Sequence, residues 1–384
     1  MISPEQFLNC LLDAGVHFFT GVPDSLLKEF CACVSEQMDT THHKICANEG
    51  NAVAMAAGHY LATGNPALVY MQNSGLGNSI NPLLSLADKE VYGIPMLLLI
   101  GWRGEPGTKD EPQHIKQGRV QNSLLEDMEI PFTILDADTE DVDGLVKRML
   151  SLAMELTQPV ALVVRKDTFA KFQAIAWNEI PFFGQNRERA LEIILEEITD
   201  AIVVSTTGKT SRELYEIRSK TGKAGKDFLC VGSMGHASSL ALAIALEKPQ
   251  TKVLCLDGDG ALLMHLGAVA VIGNSQPENY LHVLLNNHCH ESVGEQPTPL
   301  QRVDFQKLAE ALGYPEYFYC ENEHELPGLM QKICRVKGPA FLEINIHPGS
   351  RADLGRPKTT ARENKEAFMA GLKKICVCCC YPCS

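Results

Sequence analysis

Lys252-Val253-Leu254-Cys255-Leu256-Asp257-Gly258-Asp259-Gly260 is followed by Tyr280-Leu281-His282-Val283-Leu284-Leu285-Asn286-Asn287. Each is an apolar run that closes on polar residues, and both runs read as buried parallel strands. The segment from Ala261 to Ile272 between them reads as the crossover helix. Adjacent parallel strands deliver Asp259 and Asn287 to one sheet edge, the carboxyl edge at which open α/β sheets bind ligands. A carboxylate with an amide oxygen is a hard donor set suited to Mg²⁺. Gly258 and Gly260 let backbone approach a diphosphate, and the following helix start favours negative charge. An ordinary β-α-β unit with a glycine-rich turn is the competing reading.

Strand-like and helix-like segments alternate along the rest of the 384 residues. That pattern predicts α/β layers with mainly parallel sheets. Strands are expected at 17–20, 44–47, 67–71, 96–100, 132–135 and 160–164, then at 202–205, 228–230, 253–256, 281–285, 317–319 and 341–344. Helices are expected at 25–37 and 50–62. A proline-containing stretch at 173–185 interrupts the pattern and sets a domain boundary near residue 180. Two doubly wound α/β domains follow, residues 1–175 and 186–365, with 366–384 as a disordered tail. The length exceeds what one core usually serves, which agrees with two domains.

Net charge is −13, which excludes nucleic acid and anionic membrane as partners of choice. No run of about 20 apolar residues exists to cross a bilayer. The start, Met1-Ile2-Ser3-Pro4-Glu5, lacks a signal-peptide pattern, so a cytoplasmic location is expected. Of 14 cysteines, five crowd the last nine residues and the others are scattered as free thiols would be. The crowded tail reads as a disordered end rather than a zinc site, since no histidine accompanies it.

Other segments carry candidate chemistry. Ala47-Asn48-Glu49-Gly50 puts Glu49 after a strand and at a helix start, where it either acts on a ligand or complements the helix dipole. Asp24 and Ser25 follow the first strand, as proton relay and substrate donor or as helix caps. Gln72, Asn73 and Ser74 follow the third. The glycine-rich loop from Gly101 to Pro112 reads as a surface loop or a lid from which His114 contacts substrate, and the stretch at 294–298 reads as a surface loop or a second lid. Gly208-Lys209-Thr210 is not a P-loop, because Val203 stands where its first glycine is needed. Lys209 and Arg212 instead open a helix after a strand and suit an anion. No G-x-G-x-x-G opens a helix after an early strand, which disfavours a nicotinamide enzyme.

The Asp259 and Asn287 spacing, the Glu49 segment and Gly232-Ser233-Met234-Gly235 together resemble the thiamine-diphosphate-dependent enzymes. The resemblance implies a pyrimidine-binding first domain and a diphosphate-binding second one. It implies metal ligation by Asp259, Asn287 and the Cys289 carbonyl, with Gly258, Gly260 and Ala261 along the diphosphate. Glu49 activates the aminopyrimidine, and Met234, flanked by Gly232 and Ser233, props the cofactor into its bent form. His290 follows the metal ligands and falls near the reacting carbon. The middle domain of the larger members is missing, which points to the compact branch acting on acidic 2-keto acids. Four further segments, starting at Gly21, Gln72, Asp110 and Thr206, match the branch that decarboxylates 3-phosphonopyruvate. Lys209 and Arg212 then hold the phosphonate, with Ser25, Gln72, Asn73, Ser74 and His114 as further substrate contacts. Sulfopyruvate as substrate, or transfer to an acceptor, are the alternatives. Sites in this family are built across a subunit interface, so a homodimer or higher homo-oligomer is expected.

Overall fold

The computed structural model describes residues 1–173, 184–222, 227–300 and 302–375. The domain boundary expected near residue 180 and the five cysteines of the tail lie outside the described residues. Two compact units emerge. Residues 1–173 together with His290–Pro299 form one, and the other described residues form the second.

The first unit holds strands β1 (Phe19–Gly21), β2 (His43–Ile45), β3 (Ala67–Gln72), β4 (Met96–Gly101), β5 (Phe132–Leu135) and β6 (Pro159–Val164). They pair in parallel throughout, in the order β2-β1-β3-β4-β6-β5. The second unit holds β7 (Ile202–Ser205), β8 (Asp227–Leu229), β9 (Val253–Gly258), β10 (Tyr280–Asn286), β11 (Glu316–Cys320) and β12 (Ala340–Asn345). Its order is β11-β12-β10-β9-β7-β8, again all parallel.

The apolar runs are continuous because both sheet faces are covered by helices. Along β3, Leu68 and Tyr70 enter one core while Ala67, Val69 and Met71 enter the other. Leu97 and Leu99 of β4 part from Met96, Leu98 and Ile100 in the same way. In the second unit Leu254 and Leu256 face one core and Val253 and Cys255 the opposite one. Strand order reverses between β1 and β3 in the first unit and between β7 and β9 in the second. These are the switch points at which the carboxyl edge opens into a crevice.

Four expectations need correction. The helix expected at 25–37 begins at Lys28, because Ser25 to Leu27 form a turn tied to Asp24. The crossover from Ala261 to Ile272 is two helices, Asp259–Met264 and Gly267–Ser275, since His265 leaves the helical region at φ −132° and ψ 49°. His114 is not on a loop but in the first turn of the helix Pro112–Asp127. Residues 366–375 are not disordered: the helix Ala361–Ile375 runs through them. Its Phe368 is buried against Phe228, ring centroids 5.5 Å apart. No described helix is long and apolar enough to cross a membrane.

Candidate active site

The carboxyl edge of the first sheet gathers a polar network from the ends of β1, β2, β3 and β4. Asp24 follows β1 and is fully buried. It accepts hydrogen bonds from the Gln72 side chain at 2.7 Å and the Leu26 amide at 2.9 Å. Ser74 in turn donates to Gln72 Oε1 at 2.8 Å. Burial pushes the Asp24 carboxyl above its usual range, against the pull of these donors and of Arg103. The room for Asp24 comes from Gly101 at the end of β4, where an added Cβ would lie 2.1 Å from Asp24 Oδ2.

Glu49 opens the helix Glu49–Thr63, whose Asn48 caps it by accepting from the Gly50 amide at 2.8 Å. Its carboxyl is buried, so it is no mere surface complement to the helix dipole. Asn78 donates to Glu49 Oε2 at 2.7 Å. Burial raises the Glu49 carboxyl and the Asn78 bond only partly offsets it. Gly75 is needed here: a Cβ would stand 2.5 Å from Glu49 Oε1. Ala52, Ala56 and Ala57 are buried on the same helix, so small residues let it pack close.

Arg103 comes two residues after β4. It forms a paired ion contact with Asp110 through Nε and Nη2 and donates from Nη1 to Ser25 Oγ at 2.7 Å. Asn73 is turned inward, donating to the Arg103 carbonyl at 2.8 Å. His114 is pushed down to about 4 by burial and by the Arg103 charge, so its imidazole is neutral near pH 7. His290 is also buried, which lowers it to about 4, and its Nε2 has no partner among the described residues. The stretch expected as a second lid is folded in, with Gln296 and Thr298 buried.

In the second unit, β9 and β10 are neighbours with Gly258 level with Leu285. Asp259 and Asn287 therefore stand just past the same edge on adjacent strands, and both are buried. The Cys289 amide donates to Asn287 Oδ1 at 3.2 Å, which folds the backbone after β10 into a tight turn that includes His288 at φ 58°. The two asparagines part company. Asn286 points into the fold and donates to Glu343 at 2.9 Å, and Tyr317 donates to the other Glu343 oxygen at 2.6 Å. Beneath the edge, buried His282 lies 3.3 Å from Asp257 and 3.1 Å from the Tyr314 hydroxyl. Cys255 stands close to that pair.

The turn Gly232 to Gly235 sits against the start of the Asp259–Met264 helix. Gly235 has φ 87°, and a Cβ there would meet His265 at 2.6 Å and the Ala261 carbonyl at 2.8 Å. Only glycine satisfies both demands. Met234 is half-buried in this turn and belongs to none of the hydrophobic clusters. Lys209 is the first residue of the helix Lys209–Lys220, and Arg212 stands in its first turn. The donor set fits the group the sequence implies. Asp259 and Asn287 bring one carboxylate and one amide oxygen past the same edge, a hard-oxygen pair of the kind Mg²⁺ takes.

Asn78, Arg103, Asp110, Gly75 and Gly101 enter this picture only through the structure. Gly75, Asn78 and Asp110 lie in the matched segments that start at Gln72 and Asp110, and Gly101 and Arg103 open the glycine-rich loop, but nothing in the sequence pairs any of them with Glu49, Asp24 or Ser25.

Comparison with known proteins bears on the whole chain. Residues 4–127 match the thiamine pyrophosphate enzyme N-terminal TPP binding domain, and residues 207–344 the C-terminal TPP binding domain. The phosphonopyruvate decarboxylase of Streptomyces viridochromogenes is 34% identical over 96% of this chain and 95% of its own length. That of Streptomyces hygroscopicus is 35% identical over 96% of this chain and 93% of its own length. The chain belongs to the phosphonopyruvate decarboxylase family of thiamine pyrophosphate enzymes. A sulfopyruvate decarboxylase of Methanosarcina acetivorans is more distant, 27% identical over 91% of this chain and 93% of its own length. The family's two cofactor-binding folds are thus the two parallel-sheet units described above.

Proposed function

We propose that this protein is a carboxy-lyase that uses thiamine diphosphate and Mg²⁺ to convert 3-phosphonopyruvate to phosphonoacetaldehyde and CO₂. The observation that carries the reading is the near-full-length similarity to two phosphonopyruvate decarboxylases, combined with an edge that presents Asp259 and Asn287 together. The bound thiazolium ring supplies the electron sink for loss of CO₂. All else falls to this chain's residues.

Asp259, Asn287 and the Cys289 carbonyl would hold the metal, and Gly258, Gly260 and Ala261 would line the diphosphate. Gly232 and Ser233 place Met234 as the prop beneath the cofactor. Glu49, buried and biased toward its protonated form, would hydrogen-bond the aminopyrimidine ring nitrogen. The Asp24 carboxyl is raised by burial in the same way, and Asp24 would serve as the proton relay to the intermediate. Ser25, Gln72 and neutral His114 would supply donors to the substrate, Ser74 would meet it only as an acceptor because its proton goes to Gln72, and Asn73 supports Arg103. His290, which follows the proposed metal ligands and is buried with Nε2 free of partners among the described residues, would act near the reacting carbon. Lys209 and Arg212 would help hold the phosphonate at the start of their helix.

Glu49 and Asp259 belong to different units, and one cofactor needs both. We place Glu49 of one protomer opposite Asp259 of its partner, in a homodimer or larger homo-oligomer. The nine described cysteines are all free thiols, which supports a reducing, cytoplasmic setting. The test is CO₂ release from phosphonopyruvate, sulfopyruvate and pyruvate side by side. Phosphonopyruvate should give the highest kcat/KM. A preference for either other acid would overturn the substrate assignment, and sedimentation as a fully active monomer would overturn the assembly.

A further inference from the structure

We infer that Arg103 and Ser25 form a specificity pair that binds the anionic group at the substrate's far end, opposite the carboxylate that is lost. The inference deepens the proposed function and rests on it. It starts from donor counting at the edge of the first sheet. Arg103 donates through Nε and Nη2 to Asp110 and through Nη1 to Ser25 Oγ. That leaves one N–H on each terminal nitrogen without a partner among the described residues. The Ser25 hydroxyl accepts from Arg103, so its own proton must point elsewhere, and no described residue accepts it. Three donors are therefore left over on two half-buried side chains that are already fixed relative to one another.

The fixing is thorough. Asp110 also accepts from the Gly104 amide at 2.8 Å and the Glu111 amide at 2.7 Å, so its carboxylate cannot swing away and release the guanidinium. The Arg103 carbonyl is held by Asn73, and the preceding Trp102 donates from its ring nitrogen to the Gly118 carbonyl at 2.8 Å. A preorganised fork of N–H and O–H donors matches the oxygens of a phosphonate or sulfonate. Two facts direct it to that group rather than to the carboxylate. A strong clamp on the departing carboxylate would hold the ground state back from reaction, whereas a clamp on the spectator anion binds ground state and transition state alike. Burial raises the carboxyl of Asp24, another acid of this edge, so it opposes an anion there less than an ordinary carboxylate would.

The pair is separate from Lys209 and Arg212, which stand on the other unit. It predicts selectivity for substrates carrying any tetrahedral anion, and it leaves the choice between phosphonate and sulfonate to finer geometry.

The test measures the inhibition constant of 3-phosphonopropionate, a non-reacting probe, together with KM and kcat for phosphonopyruvate, in Ser25→Ala, Arg103→Met and the double variant. Loss of hydrogen bonds to a charged group should raise the inhibition constant and KM about 10- to 100-fold in Arg103→Met and less in Ser25→Ala. The double variant should be no worse than Arg103→Met, because one residue presents the other. Thiamine diphosphate uptake should stay at the wild-type value throughout, which a general collapse of the edge would not allow. Ser25→Ala, a small truncation, keeps the test alive if Arg103→Met fails to fold. An inhibition constant and KM within twofold of wild type in Ser25→Ala would overturn the pair while leaving the proposed function intact. Wild-type protein that releases no CO₂ from phosphonopyruvate would instead overturn the functional reading itself, and the pair with it.

Discussion

At the first unit's edge the acids Glu49 and Asp24 are bonded by side chains from neighbouring turns, Asn78 for one and Gln72 for the other. At the second unit's edge Asp259 and Asn287 rise from a buried base in which Asn286, Glu343 and Tyr317 are locked together below them. Burial raises the carboxyls of both acids of the first edge, against the donors that hold them. The second edge presents oxygen donors on strand ends in fixed register. On the proposed function, the first edge handles protons and reads the substrate and the second anchors the charged cofactor. On that reading a shared architecture serves two tasks, because strand-end residues are free to vary while the sheets beneath them are not.

The largest expected effect breaks the first edge alone. Glu49→Gln keeps size and the Asn78 contact but removes the acid, and kcat should fall by about 10²–10⁴-fold. Next come the glycines that make room for the acids. Gly75→Ala and Gly101→Ala push against Glu49 and Asp24, and misplacement by about 1 Å should cost about 10²-fold in kcat with a smaller change in KM. A loss no larger than that of a control alanine substitution in the helix Pro112–Asp127 would mean that the acids need no such placement.

A smaller effect is expected at the second edge. Lys209→Ala and Arg212→Ala should raise KM for phosphonopyruvate about tenfold each, the worth of a bond between charged groups. Loss of turnover with unchanged KM would count against the assignment.

The smallest effect is on stability, and it has the opposite sign. Glu49 and Asp24 have folded-state pKa values raised above their unfolded ones. Such groups support folding below the unfolded pKa, and that support is lost as pH rises through the folded value. Near pH 7 both therefore destabilise the apoprotein. Glu49→Gln should raise its melting temperature by about 2–4 °C at pH 7, and not at pH 4. Calorimetric melting of apoprotein at the two pH values reads this directly.

Much of this was legible in the chain. Every expected strand lies within or beside an observed one, because parallel strands buried on both faces carry unbroken apolar runs such as Ala67 to Met71 and Val253 to Leu256. The polar ends of those runs located both edges. Helix limits were harder. Ser25 to Leu27 carry ordinary helix-start residues, yet the Asp24 carboxylate captures the Leu26 amide and delays the helix to Lys28. His265 breaks the crossover with no proline or glycine of its own to announce it. The sequence of residues 366–375 lies next to a cysteine-crowded end, which hid an amphipathic helix that packs Phe368 into the core. The Arg103, Asp110 and Ser25 network was beyond reach, since Ser25 lies 78 residues from Arg103 and meets it only when the turns after β1 and β4 come together.

The division of labour between the two edges can be put to one measurement, calorimetric titration of thiamine diphosphate with Mg²⁺ into apoprotein of wild type, Glu49→Gln and Asp259→Ala. Wild type and Glu49→Gln should take up the cofactor with affinities within about tenfold of each other, while Asp259→Ala should show no saturable uptake. Uptake by Asp259→Ala equal to that of wild type would contradict the account.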